Sequence, residues 1–104
     1  MSFSMPLQDD LTINGYKLIC TSCGCPEQYE VFKDDKQVGY LRLRGGVFRI
    51  DYPDIDGFKL YEKIFDGELY KGNFEDEERA YYLSLAIYFI ESMIRIENEK
   101  SKSS

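Results

Sequence analysis

Leu41-Arg-Leu-Arg44 and Val47-Phe-Arg-Ile50 alternate apolar and charged residues on either side of Gly45-Gly46, and this pattern constrains the fold more than any other feature of the chain. Alternation with period two puts one set of side chains on each face of a pleated strand. A two-residue glycine turn then folds the second run back on the first. The pairing follows directly: Leu43 stands opposite Phe48 and Leu41 opposite Ile50, on one apolar face. A preceding run, 28–33, extends the meander. A three-residue Asp34-Asp35-Lys36 loop places Tyr29 opposite Leu41, whereas a two-residue loop would place Glu30 there, so the three-residue loop is the expectation. Further strands are expected over 16–20 and, after the turn 53–57, over 58–65, where either parity buries a charge or exposes an aromatic.

From 75 to about 97 the period changes to that of a helix. Asn73 is the expected N-cap, and Glu75, Asp76, Glu77 and Glu78 fill a first turn whose dipole favours acids. Tyr82, Leu83, Ala86, Ile87, Ile90, Met93 and Ile94 make one wide apolar face. The fold class is therefore α+β: an antiparallel sheet of four to five strands in a hairpin meander, covered on one face by a long C-terminal helix. Residues 1–14 read as an N-terminal arm, 15–98 as one domain and 99–104 as a disordered tail. Tyr81, Leu85, Tyr88 and Phe89 extend the apolar surface beyond what one sheet covers, which leaves room for a homodimer or a partner.

Cys20, Cys23 and Cys25 stand in a C-x2-C-x-C cluster in a chain without histidine. Three thiolates so spaced suit a structural Zn2+, with Gly24 easing the turn; Glu27, the Asp9-Asp10 pair, water or a partner's side chain would supply the fourth ligand. The alternative is unmetallated thiols with a Cys20 to Cys23 disulfide under oxidation. A hydrolytic zinc centre is disfavoured, because histidine usually supplies ligands and bases there. No phosphate-binding glycine loop and no nucleophile with a histidine base occurs, so the chain reads as non-enzymatic. Asp51, Asp54 and Asp56 have the opening spacing of a calcium loop, but Pro53 interrupts it and no closing glutamate follows.

The formal net charge is −6, from 13 basic and 19 acidic residues; leaving out Lys100 and Lys102 makes it −8. Such a surface disfavours direct nucleic-acid binding and favours a basic protein partner. No membrane span or secretory leader is apparent, and the odd number of cysteines argues against a secreted disulfide scaffold, so the expected compartment is the cytoplasm. Arg42 facing Arg49, with Arg44 and Tyr40 beside them, is the exception on this acidic chain. Neutralisation by Glu30, Asp51 or an acid on the next strand is preferred over a partner-binding patch. The loop 66–73 carries Leu69 and Tyr70 and leads to Phe74. Its aromatics either cap the open end of the core or, with Asp66, Glu68 and the acids 75–78, form an interaction surface.

The string Leu41-Arg-Leu-Arg-Gly-Gly46 also matches the tail of ubiquitin, but here it is internal and parses as strand and turn. The stretches Cys25-Pro-Glu-Gln-Tyr-Glu-Val31, Val38-Gly-Tyr-Leu-Arg-Leu-Arg-Gly-Gly46 and Phe74-Glu-Asp-Glu-Glu-Arg79 resemble small proteins of phages and mobile elements of Gram-positive bacteria. With the acidity and the cysteine cluster, the chain resembles type II-A anti-CRISPR proteins. That resemblance implies Cas9 as partner and inhibition by blocking nucleic-acid loading, with Asp66, Glu68, Tyr70, Phe74, Glu75, Asp76, Glu77 and Glu78 as the contact set. An immunity protein that masks a basic nuclease toxin, or a zinc-stabilised interaction module, would use the same surface.

Overall fold

The computed structural model describes residues 10–24, 26–68 and 70–102, with the side chains of 23, 101 and 102 excepted. Six strands follow one another as an antiparallel meander in the order β1-β2-β3-β4-β5-β6: β1 (Asp10–Ile13), β2 (Tyr16–Cys23), β3 (Glu27–Lys33), β4 (Lys36–Arg44), β5 (Val47–Tyr52) and β6 (Phe58–Ile64). The helix α1 (Asp76–Lys102) returns across one face. This is the α+β arrangement read from the sequence, with one strand more than expected. Part of the expected N-terminal arm, 10–13, is β1, and residues 1–9 lie outside the description. The helix runs on through Lys102, which corrects the expected stop near 97, and no glycine or proline after residue 75 interrupts it.

The central register is the expected one, with Leu43 opposite Phe48, Leu41 opposite Ile50 and Tyr29 opposite Leu41. Gly45 and Gly46 both have positive φ, 57° and 77°, the requirement of a type I′ hairpin turn. The β3–β4 loop is a correction. Lys33 pairs with Lys36 across a two-residue Asp34-Asp35 turn, and an irregularity at Val31/Phe32 leaves Val38 as an extra residue that restores Tyr29 to Leu41. A second irregularity, between Ile50 and Asp51, inserts Leu60 into β6 and turns Tyr61 toward the helix, where it stacks on Phe89 at 5.3 Å.

The core lies between the inner sheet face and α1. Leu18, Val31, Leu41, Leu43, Phe48 and Ile50 from the strands meet Leu83, Ala86, Ile87 and Ile90 from the helix, all nearly inaccessible to water. Gly39 sets the closeness of that approach, because a Cβ there would collide with the Ile90 Cδ1. Asn14 Nδ2 donates to Glu91 at 3.2 Å and the Tyr52 hydroxyl donates to Glu97 at 2.7 Å, tying the far end of the helix to the sheet. Among the described residues, no helix is long and apolar enough to cross a membrane.

Candidate protein-docking loop

The segment between β6 and α1 is built around a buried carboxylate. Glu27 opens β3 on the inner face and is 1% exposed, and Arg79, one turn into the helix, is 2% exposed. The Arg79 Nε donates to Glu27 Oε2 at 2.9 Å and its Nη2 donates to the Phe74 carbonyl at 2.6 Å. Glu27 also accepts from the Phe74 N–H at 2.9 Å and from the Tyr29 hydroxyl. Arg79 reaches outward to Asp76 at 2.6 Å. Burial raises the Tyr29 hydroxyl pKa, and its bond to Glu27 adds to the rise. Burial works against the Arg79 charge, but Glu27 and Asp76 outweigh it and hold the guanidinium firmly protonated. With its oxygens so engaged, Glu27 is not free to act as the fourth metal ligand the sequence suggested.

The backbone of the loop is fastened at several points. Glu27 N–H donates to the Gly72 carbonyl at 2.7 Å, Gly46 N–H to Lys71 at 2.8 Å, and Phe65 N–H to Gly46 at 2.8 Å. Within the loop, Glu68 N–H donates to Phe65 at 3.1 Å and Lys71 N–H to Glu68 at 3.0 Å. Below it, Phe74 stacks on Tyr82 at 5.3 Å and meets Phe48 edge-on at 5.1 Å, while Phe65 packs edge-on against Tyr82 at 5.5 Å. Lys71 lies 5.2 Å from the Phe65 ring centroid and donates to Glu78 at 2.7 Å. Burial opposes both charges of that pair, yet the contact prevails: the Lys71 pKa is raised and the Glu78 pKa is lowered.

The helix start differs from the expected cap at Asn73. Glu75 is the N-cap, since its carbonyl accepts from Arg79 N–H at 2.8 Å. Glu78, three residues on, reaches back to the Glu75 N–H at 3.0 Å, the glutamate half of a capping box.

These contacts divide the eight residues expected at an interface. Phe74 is 4% exposed and caps the core, so its ring is not offered to a partner. Asp76 and Glu78 are engaged within the chain by Arg79 and Lys71. Asp66, Glu68, Glu75 and Glu77 are exposed, and among the described residues no lysine or arginine pairs with them. Tyr70 is 95% exposed. Leu69 lies outside the described residues.

Of the cysteine cluster, only Cys20 is fully described. It is disulfide-bonded, and its Sγ lies 3.2 Å from the Ser22 carbonyl oxygen. A sulfur held in a disulfide is not a thiolate and cannot ligate zinc until it is reduced. The side chain of Cys23 and all of Cys25 lie outside the description, and among the described residues no group of three potential ligands is placed to hold an ion. Of the aspartates whose spacing opens like a calcium loop, Asp51 pairs with Arg49 at 2.6 Å and accepts from Asp56 N–H at 3.3 Å, and Asp54 accepts from Ile55 N–H and Gln37.

The loop therefore presents one exposed aromatic side chain and several exposed carboxylates on a fastened backbone, an arrangement suited to recognition. Comparison with known proteins gives no family model, no curated relative and no solved structure that matches the chain.

Proposed function

We propose that this protein is a non-enzymatic inhibitor that docks onto a basic, nucleic-acid-binding protein through the loop between β6 and α1, with Cas9 as the partner to test. The observation that carries the reading is Tyr70, 95% exposed on a loop whose backbone is hydrogen-bonded to β3 and to the β4–β5 turn. A large side chain held out in water by a fixed backbone loses little conformational freedom on binding, and tyrosine is among the residues that dominate interface energetics. Glu68, Glu75 and Glu77 lie close to it in sequence and are exposed, so the approach of a positively charged surface is favoured. Cas9 holds its heteroduplex in a positively charged channel, where carboxylates would occupy the place of phosphates. Inhibition is then occupancy, with no bond made or broken.

The test is loading of target DNA onto guide-bound Cas9 after preincubation with the wild-type protein, the Tyr70→Ala variant and the triple variant E68Q/E75Q/E77Q. Wild type is expected to block loading, and both variants to lose at least tenfold in potency with an unchanged melting temperature. Full potency in the variants would refute the loop as the contact. Neutralisation of a basic nuclease toxin without any effect on Cas9 would keep the loop but replace the partner.

A further inference from the structure

We propose that the outer face of the sheet is a homodimer interface, on which a second copy of this chain packs face to face about a two-fold axis running along β5. The helix covers only the inner face, and among the described residues no helix or strand is layered over the outer one; the turn 53–57 folds against its Tyr40–Asp51 end, where both residues are buried, and leaves the rows toward the Gly45-Gly46 turn uncovered by it. The register places its side chains in rows. Arg44, Val47 and Ile64 stand side by side across β4, β5 and β6, and the next row is Arg42, Arg49 and Glu62. In these two rows charge runs from positive on β4 to negative on β6, where Glu62 also meets Lys59 of its own strand at 3.6 Å in a solvent-exposed contact; Val47 is half-buried on β5 and Ile64 is 59% exposed on β6. Asp66, exposed, follows Ile64 in the turn beyond β6.

The expected neutralisation accounts for only one of the three arginines. Arg49 is held by Asp51 at 2.6 Å, whereas among the described residues no carboxylate pairs with Arg42 or Arg44. On a chain of net charge −6, two arginines without carboxylate partners on an open sheet face want an acidic surface, and the nearest fit is the chain's own.

A two-fold along β5 exchanges β4 of one copy with β6 of the other. Strands two apart lie about 10 Å from each other, and sheets stack at a similar separation, which long side chains span. Arg42 then faces the second copy's Glu62, and Arg44 faces its Ile64 and Asp66, with each contact made twice as an isologous interface requires. Val47 meets Val47 on the axis. Arg49 meets Arg49, each already neutralised by its own Asp51. Tyr70, Glu75 and Glu77 are not used, so this inference stands independently of the proposed function.

Sedimentation equilibrium of the wild-type chain, of R42E/R44E and of E62K/D66K decides the matter. Wild type is expected to sediment at twice the 12.2 kDa of one chain. Each charge variant alone is expected to be monomeric, with association at least tenfold weaker than wild type, because its like charges meet. An equimolar mixture of the two is expected to form a heterodimer, since every reversed pair is again opposite. Circular dichroism checks that each variant is folded. A monomeric wild type, or a mixture that stays monomeric, would overturn the proposal. So would an outer face that binds single-stranded oligonucleotide through Arg42 and Arg44 while the protein remains a monomer.

Discussion

Replacing Glu27 by glutamine removes one charge and almost no volume, so it isolates the electrostatics of the buried clasp. Glu27 and Arg79 are 1% and 2% exposed, and the carboxylate accepts from Arg79, from Phe74 N–H and from Tyr29. In E27Q an amide NH2 must turn toward one of these donors, and Arg79 keeps only Asp76 as a charged partner, 2.6 Å away and half exposed to solvent. Breaking a buried ion pair by removing one partner typically costs about 3–5 kcal/mol. The surviving Asp76 contact puts this case near the lower figure, about 3 kcal/mol. In a domain of this size each kcal/mol corresponds to about 4–8 °C, so the melting temperature should fall by roughly 10–25 °C. Thermal and urea unfolding followed by circular dichroism measure this. E27Q/R79M removes both charges and should recover more than half of the loss, because no uncompensated charge remains inside. A cost for E27Q under about 0.5 kcal/mol, the range of ordinary surface changes, would refute the clasp as the element that fastens helix to sheet.

Phe74→Ala should destabilise by about 3–5 kcal/mol through lost ring packing, whereas Tyr70→Ala should leave the urea midpoint within error; equal effects would contradict their opposite burial. Because the Glu78 carboxyl is held below its ordinary 4.5, its pairing with Lys71 stabilises the fold above that pH and is lost as pH falls through the lowered value. K71M should flatten the acid limb of a stability profile, and an unchanged limb would count against the pairing. Burial first, and the Glu97 contact second, push the Tyr52 hydroxyl up to about 12, so the folded state holds its proton more tightly than the unfolded chain. Its contribution is complete below the ordinary 10.0 and is lost as pH rises from there through about 12; Y52F should remove that part of the alkaline loss. With Cys20 in a disulfide, the native chain should give one titratable thiol before reduction and three after, and three at the outset would show the bond to be absent.

The middle of the sheet was legible because two independent signals agreed there, the Gly45-Gly46 turn and the alternation on either side of it. β1 was missed although its signal was present: Asn14 and Gly15 have φ of 52° and 82°, the Asn-Gly hairpin turn, between short alternating runs. The three-residue β3–β4 loop gave the correct pairing for the wrong reason, because a single extra residue in the strand shifts register as an extra loop residue does. Asn73 has the chemistry of an N-cap, but Glu78 fixed the helix start at Glu75 by bonding back to it. The clasp could not be read at all. Glu27 and Arg79 lie 52 residues apart, and nothing local to either one marks them as partners. Composition marked the segment 66–78 as an acidic and aromatic surface, but it could not sort Phe74 from Tyr70. That division depends on which ring reaches the pocket formed with Phe48, Phe65 and Tyr82.

The most direct measurement of the docking account is calorimetric titration of purified Cas9 with the wild-type chain and with Tyr70→Ala, each at two salt concentrations. The account predicts saturable binding by wild type that weakens with salt, and at least tenfold weaker binding by the variant at an unchanged melting temperature. Equal binding by Tyr70→Ala, or no binding by wild type, would contradict it.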